Sequence, residues 1–233
     1  MRTILLAEET PVHLHVCHMT AKGAVDILAW AKARGINVTG ETSPNYLLLT
    51  ADAMRRLGPY AKIDPPLRGP EDQRRLWEAL RSGTLDVVAS DHAPYTEEEK
   101  ERGWEDIFEA PSGSVAIETT LPLMLDQVNR GALKLERLVE VFSANPARVL
   151  GLYPRKGVIQ VGADADLVIA DLKRDFIIKG ENLHSRQKKT PFEGYRGRGL
   201  PLTTLVRGET VMEDGDVIGR PGYGKFQRPI TAV

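Results

Sequence analysis

The sequence predicts an α/β fold in which parallel strands are joined by helices and a small all-β module follows. Strand-like and helix-like segments alternate over residues 3–91, and the candidate strands end in histidine or carboxylate side chains. After Gly151 the chain becomes rich in glycine turns and short apolar runs. Alternating strands and helices favour parallel pairing with right-handed crossovers, so we expect one sheet covered by helices and a separate β module.

The composition is that of an ordinary globular protein. The chain has 233 residues, of which 42% are hydrophobic and 27% charged, with a formal net charge of -1. This balance gives no electrostatic reason to expect nucleic acid or a membrane as partner. The single cysteine excludes an internal disulfide framework, and no apolar run approaches the ~20 residues of a membrane span. The segment Met1–Thr10 resembles the end of an amphipathic helix rather than a signal peptide, so we expect a cytoplasmic protein.

The first predicted strand ends at His18. It follows a helix over Thr3–Thr10 and alternates apolar and polar residues. A helix is predicted over Ala21–Arg34, where apolar residues recur at helical spacing and a glycine follows as C-cap. A second strand over Ile36–Glu41 completes a strand, helix, strand unit.

The third predicted strand, Leu85–Ser90, is almost continuously apolar, as buried parallel strands are. Before it, Thr42–Pro70 is predicted to be mostly loop, with a short helix at Ala51–Leu57, because its prolines remove backbone donors. A helix over Glu71–Ser82 follows. The strand delivers Asp91 at its carboxyl end.

A long charged loop is predicted over Ala93–Val115, and loops of this length are usually functional or mobile. The charge run Thr96–Lys100 favours a solvated face over a binding patch. Helices are predicted over Ile117–Arg130 and Leu135–Ala144, and Pro146 is expected to open a turn.

The C-terminal part predicts a β module. Gly157–Asp171 is typical of two strands around a glycine turn, and Thr203–Met212 with Asp216–Ile218 predicts a hairpin that turns at Asp214-Gly215. We therefore expect one domain over residues 1–152 and a second over residues 153–233.

The ends of the three predicted parallel strands bring together residues that bind metals. In an α/β barrel the carboxyl ends of the strands share one face, so His18, Glu41 and Asp91 would meet there. Histidine and carboxylates suit zinc or a similar divalent ion. The alternative is structural: Glu41 caps the following turn and Asp91 pairs with Arg68.

Four motifs follow one another along the chain. They are His-Val-Cys-His-Met-Thr ending at Thr20, Glu-Thr-Ser-Pro-Asn-Tyr-Leu from Glu41, Asp-Pro-Pro-Leu-Arg from Asp64, and Ser-Asp-His-Ala-Pro-Tyr ending at Tyr95. In this order and spacing they resemble the cyclic amidohydrolases, the dihydroorotase, allantoinase and hydantoinase branch of the amidohydrolase superfamily, and residues 161–168 and 190–194 of the tail match as well. The resemblance covers essentially the whole chain and implies the C-terminal part of a metal-dependent (β/α)8 barrel, about strands 6–8, followed by a small β-sandwich lobe.

The resemblance implies a metal-dependent hydrolase that opens a cyclic amide C–N bond. A hydroxide bridging two metals, expected to be zinc, would attack the carbonyl in the family's mechanism. His18 would be the metal ligand of strand six, whereas His13 and His15 share a face without reaching the strand's end. Asp91 would bind metal and act as general base, passing a proton to the departing ring nitrogen. Cys17 and Glu41 match an additional metal site of some dihydroorotases; a buried thiol and a structural carboxylate are the alternative.

The substrate contacts implied by the resemblance are Asn45, Asp64, Arg68, Tyr95 and Gly113. The chain departs from dihydroorotases, which place asparagine at Asp64, histidine at Tyr95 and an apolar residue at Ser112. A carboxylate at Asp64 repels an anionic substrate unless Arg68 compensates, so a neutral ring, as in hydantoinase- or allantoinase-type enzymes, is favoured.

The other ligands of the family site cannot be placed in this chain. The family needs a His-x-His pair on strand one, a carboxylated lysine or aspartate on strand four and a histidine on strand five. Two hypotheses follow: a portion of a cyclic amidohydrolase, active with a complementing N-terminal half, or a non-catalytic amidohydrolase-like fragment or subunit. The resemblance also suggests a homo-oligomer.

Overall fold

The computed structural model describes residues 1–230, so the end of the proline- and glycine-rich tail lies outside the described residues. The chain forms two compact units. The first contains Met1–Thr120 and Ile177–Arg196, and the second contains Leu121–Phe176 and the chain from Gly197 onward. The expected boundary at residues 152/153 stays a prediction. Within the described part of the chain, every helix is too short or too polar to cross a bilayer.

The first unit contains a parallel three-stranded sheet in the order β1-β2-β3. Leu14 lies beside Val38, and Glu41 lies beside Val87. Its strands are β1 (Leu14–Val16), β2 (Val38–Thr42) and β3 (Val87–Val88), and its helices are α1 (Arg2–Glu8), α2 (Lys22–Ala33), α3 (Pro44–Leu48), α4 (Asp52–Leu57), α5 (Pro70–Ser82) and α6 (Glu97–Glu101). The parallel strand, helix, strand pattern predicted from the sequence is confirmed.

The core of this unit lies where α2 and α5 pack beside each other and the sheet. The apolar side chains that recur at helical spacing are fully buried, as the amphipathic pattern predicts. They include Val25, Leu28, Leu76 and Leu80. The strands are shorter than predicted, since β1 ends at Val16 and the chain turns at His18, whose φ is 38°.

The segments predicted as loops contain helices. Pro44 begins α3, where its missing N–H leaves no helical hydrogen bond unmade. In the charged loop, Thr96 and Glu99 form a capping box that starts α6, and 3₁₀ turns follow at Arg102–Trp104 and Ile107–Glu109. The prediction that the charge run is a solvated face is wrong for Lys100, which is only 2% exposed.

Helix α7 (Ile117–Asn129) begins in the first unit, and the second unit contains α8 (Leu135–Val139) and α9 (Asn145–Val149). A π-helical turn over Glu140–Ala144 joins α8 to α9. The predicted turn at Pro146 is wrong, because this proline occupies the first turn of α9, where no N–H is required.

The second unit also contains a four-stranded sheet in the order β4-β5-β6-β7, of which β5-β6 and β6-β7 are antiparallel. The hairpin turn at Asp214-Gly215 is confirmed, and a second turn at Arg207-Gly208 was not predicted. The strands are β4 (Leu167–Ile177), β5 (Arg196–Val206), β6 (Glu209–Glu213) and β7 (Asp216–Val217).

The first of the two strands predicted within Gly157–Asp171 is absent from the described structure. The backbone there makes local turns instead, in which Ala163 N–H donates to Gln160 and Asp164 N–H donates to Arg155. Lys156 forms ion pairs with Asp164 and Asp166, which fold this segment back on itself. The alternating apolar residues of this segment therefore pair with no strand among the described residues.

Candidate active site at the ends of the parallel strands

Three side chains of types that can bind a metal lie close together near the carboxyl ends of β1 and β2. One ligand atom from each of His15, Cys17 and Glu41 lies within 4.8 Å of the other two. His15 Nε2 is 3.1 Å from Glu41 Oε2. Imidazole nitrogen, thiolate sulfur and carboxylate oxygen are the three ligand types that zinc takes from proteins. We call His15, Cys17, His18, Glu41 and Asp91 together the strand-end site.

The register of the parallel sheet explains how this group forms. His15 lies beside Thr39 and Val16 lies beside Gly40, which places residue 17 beside residue 41 one residue further along. Side chains two residues apart in a strand share a face, so His15 and Cys17 both face Glu41. His15 was not predicted as a ligand, because its position beside Glu41 depends on the register between β1 and β2.

Thr39 orients two histidine rings. Its Oγ1 is 2.8 Å from His13 Nε2 and 2.8 Å from His15 Nδ1. One hydroxyl can donate to only one of the two rings, so the other ring donates to it. The contact with Nδ1 leaves Nε2 of His15 directed at Glu41.

His18, the predicted ligand of this strand, lies just beyond β1. Its Nδ1 atom is buried and has no hydrogen-bond partner among the described residues. A buried imidazole nitrogen without a partner is rare and calls for an explanation such as a bound ion. His18 is therefore a candidate metal ligand.

Asp91 lies three residues beyond β3 and accepts a hydrogen bond from a buried tyrosine. Tyr46 Oη donates to Asp91 Oδ2 over 3.3 Å, and Tyr46 is 2% exposed. Burial raises the pKa of Tyr46, and the charge of Asp91 raises it further. Tyr46 is therefore a permanent donor that holds one carboxylate oxygen. Tyr46 belongs to the motif that begins at Glu41, but no role in the site was predicted for it.

Two residues of the strand-end site have strained backbones. Among the described residues, four that are not glycine have positive φ: His18 (38°), Asp91 (51°), Arg207 (49°) and Asp214 (49°). Arg207 and Asp214 each precede a glycine in a hairpin turn that requires this conformation. His18 and Asp91 have no such turn, and strain of about 1–3 kcal/mol is typical of functional sites.

The electrostatic environment of Cys17 favours the thiol over the thiolate. Desolvation raises the pKa of Cys17, and the Glu41 carboxylate and the Asp91 charge raise it further. Cys17 is nevertheless exposed at the surface of the described chain. A cation placed among these groups would reverse the effect, because a thiolate ligand is deprotonated by its metal.

His92 has a structural role. Its Nδ1 accepts hydrogen bonds from the backbone N–H groups of Ala116 and Ile117, at 3.1 and 3.2 Å. These donors belong to the start of α7, where helical N–H groups lack partners within the helix. His92 therefore caps α7 and positions the chain that follows Gly113.

Three of the predicted substrate contacts lie in or beside a buried turn next to Asp91. Asn45 is 1% exposed, donates to Ser114 Oγ over 3.1 Å, and has an Oδ1 atom without a partner in the described structure. Gly113 lies against Tyr95, since a Cβ on this glycine would be 2.9 Å from the tyrosine ring. Asn45, Tyr95 and Gly113 thus belong to one packed group.

Asp64 and Arg68, the other two predicted contacts, are exposed in the proline-rich segment. Among the described residues no ion pair joins Arg68 to Asp64 or to Asp91. The structural alternative in which Asp91 pairs with Arg68 is therefore not what the chain adopts. Asp64 forms no ion pair within the part of the chain that the structure describes.

Comparison with known proteins gives a family for this arrangement. The sequence model of the amidohydrolase family matches residues 3–211 of this chain. The L-hydantoinase of Paenarthrobacter aurescens is 43% identical over 226 residues, which are 97% of this chain and 49% of the relative. The dihydroorotase of Bacillus cytotoxicus is 42% identical over 213 residues, which are 91% of this chain and 49% of the relative.

Solved structures give the same result. The L-hydantoinase (dihydropyrimidinase) from Arthrobacter aurescens superposes with a TM-score of 0.94 at 43% identity, covering 97% of this chain and 50% of the other. The chain spans about half the length of the curated relatives it matches. Its parallel strands and helices are part of the amidohydrolase (β/α)8 barrel. The chain belongs to the amidohydrolase family, in the cyclic-amide branch that includes hydantoinases and dihydroorotases.

Proposed function

We propose that this chain carries the strand six to strand eight side of the active site of a metal-dependent hydrolase that opens a cyclic amide C–N bond. The observation that carries the proposal is Asp91, held by Tyr46 on a strained backbone beside the other strand ends. A carboxylate fixed in this way is suited to proton transfer, because its orientation is set before substrate arrives.

Asp91 is the general base in this proposal. Tyr46 donates to Oδ2, and Oδ1 would accept a proton from the attacking water. Each carboxylate oxygen has two lone pairs, so Oδ2 could bind a metal as well as the tyrosine hydroxyl. The same carboxyl group then gives that proton to the ring nitrogen as the C–N bond breaks, so the released nitrogen is neutral and stays attached to the opened product. One group serves as base and then as acid.

The donor set fits a divalent cation such as zinc. His18 offers a buried nitrogen without a partner, and Asp91 offers a carboxylate oxygen. A bound metal would lower the pKa of water towards about 7 and polarise the carbonyl. The remaining ligands would come from a complementing N-terminal half, which supports a partner in cis or in trans.

We propose a second, additional metal position at His15, Cys17 and Glu41. Three ligand atoms within 4.8 Å of one another satisfy the donor count of a zinc site that keeps one open position. Thr39 holds His15 from behind as outer-shell partners of ligating histidines do.

The substrate we propose is a neutral ring such as hydantoin, and not an anionic one such as dihydroorotate. Asp64 is exposed and has no cation paired with it among the described residues. A like charge at about 4–6 Å costs on the order of 1–2 kcal/mol at effective dielectric constants near 20 once solvent screening is included. The chain is similar at nearly equal identity to an L-hydantoinase and to a dihydroorotase, so the preference rests on Asp64.

The test measures metal content and ring opening of hydantoin, allantoin and L-dihydroorotate. The 233-residue chain is assayed alone and after addition of the N-terminal half of a related hydantoinase. We expect bound metal in both samples, turnover in the complemented sample, and a preference for hydantoin. Metal-free, inactive protein in both samples would contradict the proposal and favour the non-catalytic subunit.

The substrate preference is tested by Asp64→Asn. Removing the carboxylate should raise kcat/KM for L-dihydroorotate relative to hydantoin by about tenfold, the equivalent of one unpaired charge contact. Asp216→Asn, an exposed aspartate of β7, is the matched control. An unchanged ratio in Asp64→Asn would overturn the assignment of Asp64 as the selective residue.

A cytoplasmic location and assembly into a homo-oligomer complete the proposal. The free thiol of Cys17 supports a reducing compartment. Size measurement of the complemented protein by light scattering tests the assembly.

A further inference from the structure

A buried lysine joins the two loops that carry the predicted substrate contacts. Lys100 lies in the acidic helix α6, yet it is only 2% exposed. Burial of an ammonium group is costly unless its three N–H donors are satisfied. The partners of the Lys100 amine lie in two different loops.

The amine of Lys100 donates to three backbone carbonyls from two separate segments. The acceptors are Pro59 at 3.0 Å, Lys62 at 3.2 Å and Pro111 at 2.9 Å. Pro59 and Lys62 precede Asp64, whereas Pro111 precedes Gly113. One side chain thus fills all three of its donors while it connects the loop after β2 to the loop after β3.

A second lysine makes the connection in the opposite direction. Lys62 donates to the carbonyls of Ile107 and Ala110, the former at 2.7 Å. Its own carbonyl accepts from Lys100 and also from Gly113 N–H at 2.9 Å. We call the amines of Lys62 and Lys100, with the carbonyls they bind, the lysine clamp.

The lysine clamp contacts the predicted substrate residues directly. The Lys100 amine lies 5.8 Å from the centre of the Tyr95 ring, and that ring packs on Gly113. Asp64 follows Lys62 by two residues. Asp64, Tyr95 and Gly113 lie outside the three parallel strands. The lysine clamp, together with the hydrogen bond from Gly113 N–H to the Lys62 carbonyl, joins the Asp64 loop to the Gly113 loop.

We propose that Lys100 is a positioning residue that fixes the Asp64 loop against the Tyr95 and Gly113 loop and thereby sets the shape of the substrate face. This inference rests on the proposed function, since it concerns how that site binds its ring. Lys100 acts through the backbone and makes no contact with the reacting atoms.

The test compares Lys100→Met with wild type in the complemented, metal-loaded enzyme. The methionine keeps the length of the side chain and removes its three donors. We expect amide hydrogen exchange to increase in both residues 59–66 and residues 107–113, with residues 38–42 unchanged. We also expect KM for hydantoin to rise about tenfold while kcat stays within about threefold, because substrate binding is weakened without a change in the proton-transfer groups.

Lys173→Met, at an exposed lysine of β4, is the matched control and should change neither measurement. If Lys100→Met does not fold, Lys100→Gln decides, since its amide retains two donors and should give a smaller rise in KM in the same direction. An unchanged KM in an active variant, or exchange confined to residues 97–101, would overturn the proposal. Wild-type enzyme without turnover would instead contradict the proposed function.

Discussion

The strand-end site and the lysine clamp hold functional residues in two different ways. In the strand-end site the register of parallel strands places His15, Cys17 and Glu41 together, with Thr39 behind them. In the lysine clamp no strand is involved, and two amines hold loops through backbone carbonyls. The first arrangement suits groups whose positions must be accurate. The second allows substitutions to change the substrate-binding loops without disturbing the sheet.

The largest expected effect lies in the strand-end site. Asp91→Ala removes the proposed base and should lower kcat for hydantoin by about 10²–10⁴-fold, as loss of a general base does. The sheet should stay folded, because Asp91 lies beyond β3. Activity is measured in the complemented enzyme and folding by circular dichroism, and near wild-type turnover would refute the assignment.

In the lysine clamp the expected effect is on stability and depends on pH. Burial, followed by the charge of Lys62, lowers the pKa of Lys100 to about 8 from 10.5. Between these values the unfolded chain binds the proton and the folded chain does not, so stability should rise as pH increases from about 8 to 10.5. The rise is roughly 3 kcal/mol at most, and Lys100→Met should lack it. Urea unfolding of both proteins at several pH values is the measurement, and parallel curves would contradict it.

The packing of Gly113 links the lysine clamp to Tyr95, and an added methyl group should disturb it. At Gly113 a Cβ would lie 2.5 Å from the Ala93 carbonyl oxygen, at a φ of 152°. Gly113→Ala should therefore destabilise the protein by about 1–3 kcal/mol in urea unfolding. Gly23→Ala is the control, because its Cβ would meet no atom within 4 Å, and it should be neutral or stabilising. Equal effects of the two substitutions would show that this packing is unimportant.

The smallest expected effect concerns the hydroxyl of Tyr46. Tyr46→Phe keeps the buried ring but removes the hydrogen bond to Asp91 Oδ2, which should lower kcat by about tenfold, the value of one hydrogen bond to a charged group. Tyr153→Phe, in the second unit, should leave kcat unchanged. If both variants behave alike, Asp91 is oriented by other contacts and the strand-end site is less rigid than we infer.

Part of the strand-end site could be predicted from the sequence, and part of it could not. The parallel pairing of β1, β2 and β3 follows from local patterns of apolar residues. The same patterns place His18, Glu41 and Asp91 near the carboxyl ends of these strands. His15 required the pairing register, which depends on contacts between residues 24 positions apart. That offset is absent from any single stretch of sequence.

Less of the lysine clamp could be predicted from the sequence. The capping box of Thr96 and Glu99 is visible in the sequence and could have predicted α6 within the charged loop. The burial of Lys100 could not have been predicted, because its acceptors include Pro59, which is 41 residues earlier in the chain. Every residue has a backbone carbonyl, so the sequence does not indicate which carbonyls accept hydrogen bonds from Lys100.

The positive φ values of His18 and Asp91 have a consequence for protein engineering. Glycine adopts such backbones at lower cost than any side chain, so His18→Gly and Asp91→Gly relieve strain at these two positions. A selection for thermal stability alone would therefore tend to enrich glycine at these positions. The metal-ligand and base side chains would then be lost together with the backbone strain. Libraries that are selected for activity should therefore keep His18 and Asp91 unchanged. In a separate library that varies these two positions and is selected for stability alone, the frequency of glycine would measure how much stability the site costs.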